Sequence, residues 1–130
     1  MTQAISPPAA PVASGRLTTH VLDTVHGVPA AGMRIDLFRR DADDWHLLRS
    51  VTTNDDGRVD GPLLAGADLL PGRYRLMFDV EGYFRAKAVA LPEPAFLGQV
   101  PLDFGIADAH GHYHVPLLAS PWAFSTYRGS

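Results

Sequence analysis

An unbroken alternation of two sets of side chains runs through positions 73–80 and is the feature that most constrains the fold. One set is Tyr74, Leu76, Phe78 and Val80, and the other is Arg73, Arg75, Met77 and Asp79. A period of two is typical of a strand that presents one face to a core. Similar short runs, separated by turn residues, recur along the chain. They predict an all-β fold, a two-sheet antiparallel sandwich of about eight strands with one short helix.

The same alternation sorts the side chains of the other strands into faces. It groups Leu17, Thr19 and Val21, it groups Val100, Leu102, Phe104 and Ile106, and it points Met33, Ile35, Leu37, Tyr113, Val115, Leu117, Trp122 and Phe124 into the core. Residues 45–53 form a further strand. The Asp-Gly step within residues 54–57 predicts a hairpin turn, with Arg58 as the first residue after it. Residues 81–88 are the one stretch with helical character, about two turns long.

Length and composition predict one globular domain with an N-terminal extension. The chain has 130 residues, of which 46% are hydrophobic and 19% charged, a balance that excludes a disordered chain. Residues 1–15 are rich in Pro, Ala and Ser and predict a flexible arm, which leaves residues 16–130 as the domain. The longest apolar runs are far shorter than the ~20 residues of a membrane helix, so we expect no membrane partner.

Charge and cysteine content exclude several classes of function. The net charge is −3, from 11 basic and 14 acidic residues without a basic cluster, so we expect no nucleic-acid partner. The absence of cysteine excludes a thiol nucleophile and a thiolate metal site, and it fits a reducing compartment. The first residues lack the basic and apolar regions of a secretory signal. We therefore expect a cytoplasmic protein.

The last nineteen residues, HYHVPLLASPWAFSTYRGS, are the densest in groups that bind or transfer protons. His112 and His114 lie on the strand face opposite the core, where a histidine is most often an ordinary surface group. His26, His46 and His110 are interpreted in that way.

A metal site is one alternative for this segment, because His110, His112 and His114 would line one side of an extended strand. However, Gly111 interrupts the strand geometry, and no carboxylate occupies a matching position to orient the imidazoles. We expect no bound metal.

A metal-free site is the other alternative, in which His20, Arg58 and His114 converge with the C-terminal tail. A neutral imidazole takes a proton from water, and an arginine stabilises an oxyanion. Periodicity does not show that these residues meet. If the histidine face is to exclude water, another subunit must cover it, so a catalytic interpretation predicts an oligomer with its site at an interface.

Several segments resemble a known family. LTTHVLDTVHGVPAAGMRIDLF, NDDGR, GRYRLMFD, GYF and above all HYHVPLLASPWAFSTYRGS are similar to the 5-hydroxyisourate hydrolases, the enzyme branch of the transthyretin family. The resemblance covers residues 17–130. THVLD and HVPLL are shared across the family and indicate the fold. The terminal YRGS is more specific, because the hormone-carrying transthyretins lack both this tetrapeptide and the active-site histidines.

The resemblance implies a function and an assembly. It implies hydrolysis of the ring amide of 5-hydroxyisourate to 2-oxo-4-hydroxy-4-carboxy-5-ureidoimidazoline, a step of urate degradation in purine metabolism that uses no cofactor. It also implies a homotetramer with active sites in a channel between dimers. The residues that match the family's active site are His20, Arg58 and His114, together with Tyr127, Arg128, Gly129 and Ser130 of the tail.

The matching residues suggest separate roles. His20 and His114 would position and deprotonate water, while Arg58 would bind the ring and stabilise charge on its carbonyl oxygen. Ser130 would join them as a catalytic residue. Tyr127, Arg128 and Gly129 are expected beside the substrate, with Arg128 holding the tail in place.

Two other classes of protein remain as alternatives. A transthyretin-like carrier would hold an apolar or aromatic ligand in the same channel. Small-molecule pockets are predominantly apolar, so the polar and ionisable lining expected here argues against a carrier. The second alternative is a structural sandwich domain of a surface protein, which we would expect to be accompanied by a signal peptide and neighbouring domains. Deleting residues 127–130 distinguishes the enzyme from the carrier, because the enzyme should lose activity whereas a carrier has no evident need for these residues.

Overall fold

The computed structural model describes residues 14–129. The predicted arm, apart from Ser14 and Gly15, lies outside the described residues, and so does Ser130. The strands are β1 (Arg16–Asp23), β2 (Val28–Pro29), β3 (Arg34–Asp41), β4 (Asp44–Thr52), β5 (Leu64–Ala65), β6 (Gly72–Asp79), β7 (Gln99–Ile106), β8 (His112–Ala119) and β9 (Phe124–Thr126). A single-turn 3-10 helix covers Gly66–Asp68, and the helix α1 covers Val80–Ala86.

The strands form two sheets, which confirms the predicted sandwich. One sheet has the order β2-β1-β8-β9 with β5 also paired to β1, and the other has the order β4-β3-β6-β7. The prediction of antiparallel pairing was wrong at one place: β1 and β8 are parallel over eight residue pairs, from Arg16 opposite His112 to Asp23 opposite Ala119. Residues 96 positions apart in sequence meet in this pair, and no local pattern indicates their relative direction.

The core lies between the sheets and consists largely of the predicted side chains. Its fully enclosed members include Leu17, Val21, Ile35, Leu37, Tyr74, Leu76, Phe78, Phe84 and Leu117. Two predicted members do not belong to it, because Trp122 is 57% exposed and Phe124 is 43% exposed. Trp122 precedes β9, and β9 is a three-residue edge strand that pairs with β8 alone. Alternation therefore separates its two faces without telling which of them is covered.

The helix α1 lies within the stretch predicted to be helical, except that it begins one residue earlier, at Val80. The Asp79 carboxylate accepts the backbone N–H of Gly82 at 3.0 Å and caps the first turn. The Tyr83 hydroxyl donates to Asp23 Oδ2 at 2.7 Å and so connects the helix to the end of β1. Within residues 14–129, no helix is long and apolar enough to cross a membrane.

The Asp-Gly turn is present, but the hairpin predicted from it is not. The turn closes with a bond of 2.9 Å from the Gly57 N–H to the Asn54 carbonyl. It then leads back to β1, where Arg58 forms an isolated bridge with His20 instead of starting a strand paired with β4. A tight turn fixes the reversal of the chain and leaves open which strand the chain meets next.

Candidate active site

The parallel pairing of β1 with β8 brings two of the predicted histidines to one face of a sheet. Thr18 is opposite His114, and His20 is opposite Pro116, so the histidines lie on adjacent strands two positions apart in register. Strand spacing and rise place their Cα atoms about 8 Å from each other. Because Thr19 and Tyr113 face the core, His20 and His114 point to the outer face of the sheet.

Arg58 reaches this face from the other side of β1. Asn54 orders the turn that carries it: its side-chain oxygen accepts the N–H groups of Asp56 at 2.9 Å and Arg58 at 3.1 Å. The Asn54 N–H donates to the Arg58 carbonyl at 2.7 Å. Gly57 has a φ of +72°, and a Cβ there would lie 2.4 Å from the Val21 carbonyl oxygen. Only glycine permits this approach, which fixes Arg58 beside His20.

The C-terminal tail approaches His114 through Gly129. The Gly129 N–H donates to the His114 carbonyl at 2.7 Å, and a Cβ on Gly129 would lie 2.6 Å from His114 Cδ2. The tail backbone therefore packs directly against the imidazole. Any larger residue at position 129 would displace either the ring or the tail.

The side chains of Tyr127 and Arg128 point elsewhere. Both line a cleft of about 340 Å³ between β7 and the β8–β9 pair. The Arg128 guanidinium lies 4.3 Å from the centre of the Tyr113 ring and donates to the His112 carbonyl at 3.3 Å. Within one chain, the structure thus brings together His20, Arg58, His114 and the Gly129 backbone, while Tyr127 and Arg128 lie in the neighbouring cleft. Ser130 is outside the described residues.

A polar cleft of about 420 Å³ opens at the predicted site, and its lining is Arg16, Thr18, Arg58, His112, Tyr113 and His114. Within residues 14–129, no carboxylate lies within 4.0 Å of either arginine. The cleft therefore carries a positive charge that the described part of the chain does not neutralise. Such a surface favours ligands that carry, or develop, negative charge.

Burial and the neighbouring arginine keep both histidines neutral. Burial lowers the pKa of His20, and the positive charge of Arg58 lowers it further, while the carbonyl and carboxylate of Asp56 partly oppose them. The pKa of His114 is lowered by burial, by Arg58 and by His20. A neutral imidazole keeps one nitrogen lone pair, so at neutral pH either ring can accept a proton.

Sequence reasoning missed two residues of this cleft. Thr18 Oγ1 lies 2.8 Å from His114 Nδ1. Arg16 lies two residues before Thr18 on β1 and also lines the cleft. The available signal was the strand period itself, which places Arg16 and Thr18 on the same face as His20.

The remaining histidines do not assemble a metal site. His110 lies in the turn before β8, where its N–H donates to Asp108 Oδ1 at 2.8 Å, so it does not continue the row of His112 and His114. His112 is exposed, and its Nε2 lies 3.2 Å from the Ser14 carbonyl. Within the described part of the chain there is no group of three or more His, Cys, Asp or Glu residues that could hold a metal ion.

Fold and site together define a transthyretin-like sandwich with two neutral histidines and an arginine on the outer face of one sheet. Residues 17–129 match the HIUase/Transthyretin family, and the chain belongs to this family. It is 63% identical over 117 residues to "5-hydroxyisourate hydrolase 2" of Rhizobium meliloti (strain 1021), a match that covers 90% of this chain and 98% of the relative.

Two solved structures show what the fold alone can distinguish. The 5-hydroxyisourate hydrolase of Klebsiella pneumoniae superposes with a TM-score of 0.74 at 33% identity, over 89% of this chain and 99% of the other. Sea bream transthyretin in complex with thyroxine superposes with a TM-score of 0.79 at 25% identity, over 88% and 94%. Backbone similarity therefore does not distinguish a hydrolase from a thyroxine-bound transthyretin, and the side chains of the cleft must do so.

Proposed function

We propose that this chain catalyses the hydrolysis of 5-hydroxyisourate in urate degradation. The observation that carries the proposal is the placement of His20 and His114 on one sheet face beside Arg58, whose guanidinium has no carboxylate within 4.0 Å among residues 14–129. The relative from Rhizobium meliloti bears the name of this activity. The lining also argues against the carrier alternative, because an apolar ligand would have to desolvate two arginines and two histidines.

In the proposed reaction a water molecule attacks the ring carbonyl of the substrate. One of His20 and His114 takes a proton from the water as its oxygen bonds to the carbonyl carbon. The Arg58 guanidinium stabilises the negative charge that develops on the carbonyl oxygen. The C–N bond of the ring then breaks and the nitrogen leaves with the proton, giving 2-oxo-4-hydroxy-4-carboxy-5-ureidoimidazoline. All the groups needed come from protein and water, so the reaction requires no cofactor.

The tail completes the proposed site. Ser130 follows Gly129, whose backbone packs on His114, and we assign to its hydroxyl a hydrogen bond to the substrate or the attacking water. Arg128 anchors the tail through Tyr113 and the His112 carbonyl. For Gly129 we propose a contact with the substrate, whereas the Tyr127 side chain lines the neighbouring cleft of the chain.

We further propose that the chain forms a homotetramer with its sites at the dimer–dimer interface. The site face is open in a single chain, and the same sheet and its turns expose large apolar side chains at Val25, Val28, Trp122 and Phe124. Burying these groups against another subunit is favourable and would exclude water from the cleft. The proposed location is the cytoplasm, to which a cysteine-free chain is suited.

The direct test generates 5-hydroxyisourate from urate and follows its absorbance with and without the protein. The compound also decays unaided, so the expected result is a decay rate that rises in proportion to protein concentration. If the protein does not accelerate the decay and binds an apolar ligand tightly, the hydrolase function is contradicted and the carrier function is favoured.

A further inference from the structure

A hydrogen bond between two strands specifies one nitrogen of a proposed catalytic histidine. Thr18 Oγ1 and His114 Nδ1 are 2.8 Å apart, on β1 and β8 residues that are direct partners in the ladder. Both side chains are half-buried. Within residues 14–129, His114 is the only side-chain hydrogen-bond partner of the Thr18 hydroxyl. Nδ1 is therefore occupied by this hydrogen bond, and Nε2 is the nitrogen that remains available to the cleft.

The direction of this hydrogen bond determines what Nε2 can do. A neutral imidazole carries one N–H, and a hydroxyl can either donate or accept. If the hydroxyl donates to Nδ1, the hydrogen is on Nε2, which then cannot accept a proton. If Nδ1–H donates to the hydroxyl, Nε2 presents its lone pair to the cleft.

We propose that Thr18 is a positioning residue that holds His114 in the Nδ1–H tautomer, with the Nε2 lone pair facing the cleft. In this arrangement the hydroxyl accepts from Nδ1–H both before and after His114 gains a proton, so proton transfer requires no rearrangement. The choice of this tautomer and its catalytic consequence rest on the proposed function, whereas the hydrogen bond between Thr18 and His114 does not.

The neighbouring threonine cannot replace Thr18. The Thr19 hydroxyl faces the core and donates to the Val115 carbonyl at 2.7 Å. Gly129 packs against the Cδ2 side of the imidazole and restricts its rotation. The ring is thus confined by the tail on one side and oriented by one hydroxyl on the other.

The first experiment measures the tautomer and needs no substrate. Nitrogen NMR of the full-length oligomer, labelled with ¹⁵N-histidine, distinguishes Nδ1–H from Nε2–H, and the His114 signals are assigned by their loss in His114→Gln. The expected result near neutral pH is a protonated Nδ1 and an unprotonated Nε2. A wild-type His114 in the Nε2–H form would overturn the proposal.

The second experiment tests the consequence for catalysis. Thr18→Val removes the hydroxyl and keeps the branched shape, and Thr18→Ser restores the hydroxyl. Losing one hydrogen bond that orients the base should lower kcat about tenfold, with KM changed less than about twofold. Thr18→Ser should keep kcat within about twofold of wild type. In Thr18→Val the NMR signals of His114 should also shift towards a mixture of tautomers.

A matched control is Thr52→Val, an exposed threonine of β4 with no side-chain hydrogen bond among the described residues, which should change neither readout. A folded Thr18→Val oligomer with wild-type kcat, or with an unchanged His114 tautomer, would contradict the proposal. If valine prevents folding, Thr18→Ala serves with the same criteria. A wild-type chain that fails to hydrolyse 5-hydroxyisourate would refute the proposed function, and the NMR result would still decide the tautomer.

Discussion

Arg75, on the outer face of one sheet, and Arg58, beside the outer face of the other, have different surroundings. On the β4-β3-β6-β7 sheet, Arg75 forms two hydrogen bonds with the Asp103 carboxylate, at 2.6 and 2.9 Å, and its guanidinium lies 4.3 Å from the centre of the Trp45 ring. On the β1–β8 side, Arg16 and Arg58 have no carboxylate within 4.0 Å among residues 14–129. The neighbours of Arg58 are imidazoles instead.

The two environments have different consequences for protonation. Arg75 lowers the pKa of Asp103 through its hydrogen bonds and charge, and so keeps the carboxylate ionised. On the other sheet burial lowers the pKa of both histidines and Arg58 adds to the effect, so the imidazoles stay neutral. Arg75 is satisfied by a carboxylate of the same chain, whereas Arg58, which has no carboxylate partner among residues 14–129, lies beside neutral bases and suits a substrate that develops negative charge.

The largest expected effect tests whether the histidines of the β1–β8 face do more than those elsewhere. His114→Ala or His20→Ala should lower turnover by about 10²–10⁴-fold, the usual contribution of a positioned base, while the protein stays folded. The measurement is the initial rate of 5-hydroxyisourate decay at equal protein concentration. His46→Ala, an exposed histidine of β4, is the control and should keep full activity. Near-native turnover in a folded His114→Ala variant would contradict the proposed catalytic role of His114.

The second prediction compares the substitution of Arg58 with the substitution of Arg75. Arg58→Gln should lower kcat/KM by about 10²-fold, because it removes a cationic donor to the developing oxyanion, with little loss of stability. Arg75→Gln should show the reverse pattern: full activity, and a fall in the free energy of unfolding of less than about 1 kcal/mol, since the pair with Asp103 is partly exposed. Urea denaturation and initial rates measure both. Equal effects of the two substitutions on kcat/KM would abolish the distinction between the faces.

Gly129→Ala tests whether the tail contact with the imidazole matters. The added Cβ would lie 2.6 Å from His114 Cδ2, so either the ring or the tail must shift. A displacement of a few tenths of an ångström at a catalytic group should lower kcat about tenfold. Gly98→Ala is the matched control, because a Cβ there would meet Glu81 Oε1 at an ordinary 3.6 Å. Unchanged kcat in Gly129→Ala would show that the tail is not part of the site.

Much of the fold follows from the sequence because a period of two is a local property. Residues 73–80, Met33 with its alternate neighbours, and the β8 face that carries Tyr113 all have the predicted orientation. Trp122 and Phe124 do not, because whether an edge strand is covered depends on neighbours that local alternation does not specify.

The site is less predictable, because its geometry depends on contacts between distant segments. The parallel register of β1 and β8 sets the distance between the histidines, and the return of the Asn54–Gly57 turn to β1 places Arg58 beside them. Resemblance to the family supplied the residue names without that geometry. The role of Thr18 emerges only when the strands are assembled, since it acts through a hydrogen bond to a residue 96 positions away.

The smallest expected effect is a difference in how the two faces respond to pH. The pKa of both histidines is lowered in the folded state from the ordinary value of 6.5, so the unfolded chain takes up protons first as the pH falls below 6.5. Because proton uptake favours the unfolded chain, the free energy of unfolding decreases in this interval. His20 and His114 therefore give stability that is present above 6.5 and is lost as the pH falls below it. The pKa of Asp103 is lowered from 3.8, so its contribution is lost only under more acidic conditions.

The double variant His20→Gln/His114→Gln should accordingly have a flatter dependence of the free energy of unfolding on pH just below 6.5 than the wild type. Asp103→Asn should leave that interval unchanged and flatten the more acidic one. Urea denaturation measures both, at one fixed protein concentration so that the proposed assembly affects the apparent stability of each variant equally. Identical slopes for the wild type and the double histidine variant would mean that the cleft does not hold its imidazoles neutral, and the β1–β8 face would then lose its distinction from an ordinary charged surface.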